Sequence, residues 1–411
     1  MNEPAFEKVV MSVLIFATMV FAINTFDVIS LFFGIAQDLH EDVGSLGLIS
    51  ATLVIGIGVF QIPSGIIAAK YGPKRTAMIG MIIIASGAIL VGMSTDINQI
   101  AIFRFILGGG LAFYFPSALV LAAQFFRKGS EGLAMGSLTG ANAAGGVIGL
   151  IVWVLLAGLY GWRTSIVFGG ILALVATAAL LFLLPKGSRP VAAADRIFTI
   201  KAAQIRRLLL DKSLIIFGVL LLGSQIALEQ TLAFMPFYLQ SSLNIAGFVA
   251  GLVGSFTLLG ALVGAPLIGW LYDRKISFMK LIVIFSSILV VGMSLNFANN
   301  LATAMLSTLM VGFAGGGLFA LFSNAGRGSV VARAAKGGHP IEYSTLSVNW
   351  IHCIALTGTF WAPLLFSLSA AQSGFPVAWP LIGLVSFGII IGTALAGYRK
   401  HIIIKKPIAP S

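Results

Sequence analysis

Apolar runs of about 20 residues recur along the chain between short polar turns, each long enough to cross a hydrocarbon core of about 30 Å as a helix. The pattern predicts helices over residues 9–34, 45–69, 76–94, 98–126, 131–157 and 163–184. A second set is predicted over 213–240, 246–271, 278–297, 301–326, 341–370 and 377–398. The first run is too long for a secretory signal and carries no small-residue cleavage site, so it reads as a span. The expected fold class is an all-α membrane protein with about twelve transmembrane helices.

The longest polar stretch, 185–212, divides the runs into two groups of six. Residues 1–184 form one half, 185–212 a basic connector, and 213–411 the other half with a basic tail. Within the connector, Ile197, Ile200, Ile205 and Leu208 alternate with Arg196, Lys201, Arg206 and Arg207. Such a segment suits an amphipathic helix in an anionic headgroup layer or a solvated linker. The halves repeat one another: Asp27 aligns with Glu229, Gly65 with Gly269, Gly108 with Gly315 and Asn142 with Asn349. The offset drifts only from 202 to 207 residues. Two parallel six-helix repeats are one known transporter architecture, with the substrate site near the bilayer midplane at the repeat interface.

Composition sharpens the class. The chain is 58% hydrophobic and 9% charged, far short of the roughly one-quarter charged residues of soluble domains. The net charge of +12 invites a nucleic-acid partner, but the placement of the charges excludes one. All but two of the 25 Lys and Arg fall on one side of the expected topology; Arg104 and Arg163 are the exceptions. Asp38, Glu41, Asp42 and Asp96 fall on the opposite side. The positive-inside rule then expects an even number of spans in the cell membrane, with both termini cytoplasmic. The single cysteine, Cys353, lies in an apolar run and offers no disulfide framework.

After the second span stands Gly65-Ile-Ile-Ala-Ala69-Lys70-Tyr-Gly72-Pro-Lys74-Arg75, and after the eighth Gly269-Trp-Leu-Tyr-Asp273-Arg274-Lys275. These resemble the two copies of the cytoplasmic G-x-x-x-D-R-x-G-R-[RK] motif of the major facilitator superfamily. Arg104 and Gly108 in the fourth span resemble that superfamily's R-x-x-x-G arrangement, and Gly161-Trp162-Arg163 fits its prokaryotic members. The resemblance implies a cytoplasmic gate built from Gly65, Lys70, Gly72, Arg75, Gly269, Asp273 and Arg274. Small Gly65 and Gly269 would let helices approach closely, and Asp273 would cap the positive end of a helix from the other half. The basic neighbours would pair with acids such as Glu131 and Glu342. Ala69 stands where the first copy needs its acid, so the second copy is expected to hold most of the gate. For most of the basic residues, plain positive-inside topology is the simpler explanation.

Three charged residues lie well inside the predicted spans: Asp27, Arg104 and Glu229. An ionised group there costs about 2.5–3.5 kcal/mol even on the lenient insertion scale, so it calls for a partner or a function. At 1.5 Å per residue, Asp27 lies about 25 Å from the inner end of its helix and Arg104 about 8 Å below the outer face. The two fall at similar depth, where a salt bridge is expected. Anion:cation symporters and some drug/proton antiporters of the superfamily look similar here. Otherwise Arg104 snorkels outward and Asp27 is a structural acid. Glu229 has no arginine opposite, because Val311 stands at the repeat position of Arg104; it is a proton site or a neutral hydrogen-bonding acid. Gln225 shares its helix face. Asn142 and Asn349 suit polar contacts between helices, and His352 is an interior histidine or a relay. The triple glycines at 108–110 and 315–317 sit inside apolar helices with no Lys-Ser/Thr after them, so they suit close packing rather than nucleotide binding.

No ATP-binding motif, metal-ligand spacing or nucleophile elbow appears in the sequence, so neither an enzyme nor a cofactor is expected. The resemblance and the buried charges together imply a secondary transporter, a monomer, moving a small anionic molecule with protons as coupling ion. A proton-driven efflux antiporter is the first rival, weakened because Gly140-Ala-Asn142-Ala-Ala-Gly145-Gly146 lacks the Gly-Pro of the antiporter motif. A non-transporting receptor on the same scaffold is the second.

Overall fold

The computed structural model describes residues 3–125, 131–184, 209–274, 276–334 and 343–399; the connector over 185–208 and the acid Glu342 lie outside them. Among the described residues, twelve segments are long and apolar enough to cross a membrane. They begin with α1 (Glu3–Thr25), α2 (Asp27–Ser30) and α3 (Phe32–Leu39), which share the first span. Then come α4 (Val43–Tyr71), α5 (Pro73–Gly92), α6 (Ile97–Phe125), α7 (Glu131–Tyr160) and α8 (Trp162–Leu183). The second set is α9 (Lys212–Leu243), α10 (Gly247–Asp273), α11 (Phe278–Ser294) with a 3₁₀ turn, and α12 (Leu301–Ala334). It ends with α13 (Tyr343–Gly358), α14 (Trp361–Ser373) and α15 (Phe375–Arg399). Large apolar side chains such as Leu159, Leu262 and Val263 are exposed, as residues facing lipid must be.

Local chemistry sets the ends of these helices. Asp42 caps α4 through the Ser45 N–H, and Asp211 caps α9 through those of Ser213 and Leu214, satisfying donors that a helix start leaves unpaired. Gly72 and Gly161 take φ of +88° and +81° at the turns before α5 and α8. Only glycine adopts that backbone freely, so Gly72 has a conformational role at the tip of the α4–α5 turn.

Two spans are interrupted, which the hydropathy pattern does not reveal. The eleventh breaks between α13 and α14 because Pro363 lacks an N–H and crowds the carbonyl four residues back; that carbonyl belongs to Thr359 and accepts from Ala362 instead, at 2.9 Å. The first breaks at Phe26 and Leu31 without a proline. Here polar side chains compete for the backbone. Thr25 bonds the Phe21 carbonyl, Ser30 the Phe26 carbonyl, and Asp27 Oδ1 takes the Val28 N–H at 2.6 Å.

The chain divides into two compact units: Met1–Phe198 with Ala246–Leu252, and Thr199–Ile245 with Val253–Ser411. In the first, α6 packs on α4 and α5, while α1 packs on α7 and α8. The glycine triplet of α6 makes this possible. A Cβ on Gly108 would strike the Leu53 carbonyl of α4, one on Gly109 the Phe60 ring, and one on Gly110 the Gly80 carbonyl of α5. In the second unit α9 packs on α12, α13 and α15. The α12 triplet meets three neighbours in the same way: Leu228 of α9, Ala261 of α10 and Phe285 of α11.

Candidate functional site

Asp27 opens the short helix α2 inside the first span, and Arg104 lies in α6; both side chains are 0% exposed. Arg104 Nη1 donates to Asp27 Oδ1 at 2.6 Å, and Nη2 reaches the Thr25 carbonyl at 3.4 Å. One carboxylate oxygen therefore receives both the guanidinium and the Val28 N–H. Asp27 Oδ2 and Arg104 Nε are buried with no hydrogen-bond partner among the described residues. The ion pair offsets the cost of burying each charge alone, and the break in the helix is what points Asp27 toward α6. The pairing expected from equal depth is present.

Glu229 is half-buried on α9, one turn beyond the nearly buried Gln225. No ion pair to Glu229 occurs among the described residues, and Val311, at the repeat position of Arg104, is 0% exposed. Gln225 Oε1 and both amide atoms of Gln230 are buried without a hydrogen-bond partner among the described residues. His352 Nε2 lies 3.0 Å from Ser323 Oγ on α12, with its ring 5.0 Å from that of Phe319. Asn142 is half-buried in mid-α7; Asn349 lies on α13, its side chain outside the described residues.

The expected gate residues are scattered along the same helix ends. Lys70 stands over the Tyr71 ring at 5.2 Å and Arg274 over the Trp270 ring at 4.4 Å; Arg75 is exposed. The side chains of Asp273, Ala69 and Glu131 lie outside the described residues. Among the described residues, no atom lies within 4 Å of where a Cβ would stand on Gly65 or Gly269. Gly65 is exposed and Gly269 half-exposed. Glycines that packing does require include Gly56, Gly108, Gly264 and Gly312, each facing a neighbouring backbone.

Three features escaped the sequence reading. Lys74 donates to the Leu181 and Leu184 carbonyls at 3.2 and 2.5 Å; it caps the end of α8, a favourable place for a cation. Asp38 and Arg163 form a second ion pair at the C-terminal end of the first span, half-exposed. Arg163 also donates to the Ser94 carbonyl and stacks on Trp162, whose indole N–H bonds Asp38. The Arg163 hydrogen bond holds the Asp38 carboxyl below its usual value, helped by Trp162. Arg163 as the lone cation on the acidic side was the available signal. Trp153, which reaches the first span from α7, carried no signal beyond its size.

A twelve-span helical chain in two units, with an ion pair buried inside the first, has the architecture of a membrane transporter. The sequence model of the Major Facilitator Superfamily matches residues 14–337, and the chain belongs to that family. It is similar to a 4-hydroxybenzoate transporter of Pseudomonas aeruginosa, 29% identical over 155 residues, which are 38% of this chain and 35% of that one. It is similar over nearly its whole length to a gallate transporter of Pseudomonas putida, 22% identical over 94% of this chain and 92% of that one. A solved bacterial homolog of the human lysosomal transporter Spinster, inward-facing and occupied, superposes with a TM-score of 0.76 over 99% of both chains. At 13% identity that likeness concerns the fold alone. The protein is a multi-pass membrane transporter of this superfamily.

Proposed function

We propose that the protein is a proton-coupled transporter of small organic anions, with aromatic carboxylates as the substrate class, working by alternating access in the cytoplasmic membrane. The observation that carries this reading is the fully buried Asp27–Arg104 pair. Asp27 Oδ2, which has no donor among the described residues, is the oxygen that takes the proton. Protonation neutralises the carboxyl and leaves the guanidinium without its counter-charge, and the carboxylate of a substrate then takes that place. Because each event favours the other, proton and anion binding are thermodynamically linked. Glu229, lacking a cationic partner, is the alternative proton carrier. The relatives named for 4-hydroxybenzoate and gallate, both aromatic carboxylates, support the substrate class. The gate is assigned to the 61–75 and 269–275 regions, and both termini to the cytoplasm.

The test is substrate uptake and proton movement in proteoliposomes, with 4-hydroxybenzoate, gallate and cationic drugs applied with and without a pH step. Uptake of an aromatic carboxylate that grows at acidic outer pH and takes protons inward with it, with no net charge moved by one proton per monocarboxylate, is the expected result. Response to the drugs alone would replace the reading with an efflux antiporter, and no flux of any compound would leave the receptor reading standing. The orientation fails if a cysteine placed at Arg206 reacts with an impermeant reagent from outside the cell.

A further inference from the structure

Asp27 meets Arg104 only because the first span is broken one residue before it, and the break is held from α7. In a continuous helix the carbonyls of Ile23 and Thr25 would serve the N–H groups of Asp27 and Ile29. Here the Ile23 carbonyl accepts from the indole Nε1 of Trp153 at 2.9 Å. The Thr25 carbonyl accepts from Arg104. Side chains from α7 and α6 thus occupy acceptors that a regular helix keeps for itself. In a membrane such acceptors have no water to turn to, so an indole N–H placed there favours the broken form over the continuous one.

Trp153 has little freedom to leave. It is 1% exposed, and its ring lies against the bare Cα of Gly169 on α8, where an added Cβ would stand 3.0 Å from the ring. Asn24 packs at the same place, donating to the Val20 and Gly169 carbonyls at 2.9 and 3.2 Å. The residues just before the break are therefore tied to α7 and α8, and the residue just after it to α6.

We infer that Trp153 is a positioning residue for the proton-coupling pair: its hydrogen bond to the Ile23 carbonyl keeps the first span interrupted and so aims Asp27 at Arg104. The inference rests on the reading of that pair as the coupling element. Each residue of helix carries about 100° of rotation, so a break that closes or shifts turns Asp27 off Arg104 without removing either group.

The test uses the full chain in nanodiscs and proteoliposomes, with W153F and with benzothienylalanine at position 153. The second variant keeps the shape of the ring and replaces only the N–H. Hydrogen exchange over residues 24–31 reports on the break without any substrate. Losing that hydrogen bond favours the continuous helix, in which the Asp27 and Ile29 N–H groups are bonded, so exchange there should slow about two- to tenfold, while exchange in α9–α15 stays as in the native chain. The pH at half-maximal 4-hydroxybenzoate uptake should move by about half a unit or more, with the melting temperature of the benzothienylalanine protein unchanged. Native exchange and a native pH profile in the benzothienylalanine protein would overturn the inference, even if W153F is unstable. Asp27→Asn is measured alongside. If it keeps native coupling, the reading of the pair fails, and slowed exchange at 24–31 in the Trp153 variants still decides whether Trp153 holds the break.

Discussion

Asp27–Arg104 and Asp38–Arg163 are two aspartate–arginine pairs on the same membrane span, and they differ in almost everything except their chemistry. The first is sealed, both side chains 0% exposed; in the second the arginine and aspartate are 39% and 44% exposed. In the first, one carboxylate oxygen is left without a donor among the described residues. In the second, the acid is held by Arg163 and Trp162 together, and the arginine also bonds the Ser94 carbonyl at the end of α5. Burial magnifies what happens when one partner changes. Removing one member of a buried pair strands the other in low dielectric at about 3–5 kcal/mol, whereas exposed pairs are worth about 0.2–1 kcal/mol. The same two residue types thus make a sealed pair in one place and an exposed clamp between loop and helix in the other.

The comparison breaks most sharply at Arg104. Arg104→Ala leaves Asp27 ionised and unpaired, so it should destabilise the first unit by about 3–5 kcal/mol and abolish anion binding; thermal unfolding and substrate-induced stabilisation measure both. Asp27→Asn should be milder. It mimics the protonated acid, so counterflow exchange persists while accumulation driven by a proton gradient is lost. Accumulation in that variant would move the coupling role to Glu229. Arg163→Ala should cost about 0.2–1 kcal/mol and leave gradient-driven accumulation intact; loss of accumulation there would erase the distinction between the pairs.

The smallest effect concerns pH at the exposed pair. Asp38 has a folded pKa below its ordinary value of 3.8. Its contribution is therefore complete above the unfolded value and is lost only as pH falls through the folded one, below about 3.8. Between pH 5 and 8 the exposed clamp keeps its charge and cannot report a proton gradient. The pH dependence of uptake in Asp38→Asn should match the native profile over that range.

Much of this molecule is readable from the chain. Most span boundaries follow hydropathy within a few residues, the first and eleventh spans excepted, and the Asp27–Arg104 pairing follows from two intramembrane charges at one depth. Pro363 was also a legible signal for the interrupted eleventh span, since a proline removes one helical bond wherever it falls. The interruption at Phe26 was not legible. Asn24, Thr25, Asp27 and Ser30 each compete with the backbone only modestly, and only their combination with Arg104 and Trp153 decides the outcome. Lys74 looks like any cytoplasmic lysine until α8 ends beside it. Gly65 and Gly269, glycines of a recognisable motif, have room for a Cβ among the described residues, whereas Gly56 and Gly264, in no motif, leave none against a neighbouring helix.

The sequence alone determined the twelve spans, the six-helix repeat and the presence of buried charges. These depend on the transfer free energy of each residue into lipid, a property that adds up along the chain without reference to neighbours in space. Only the tertiary structure decided that the first span is broken, that Trp153 holds the break, and that one Asp–Arg pair is sealed while the other is open to solvent. Those outcomes depend on which side chain meets which carbonyl across a helix interface. A rotation of one residue, invisible to hydropathy, changes every such contact.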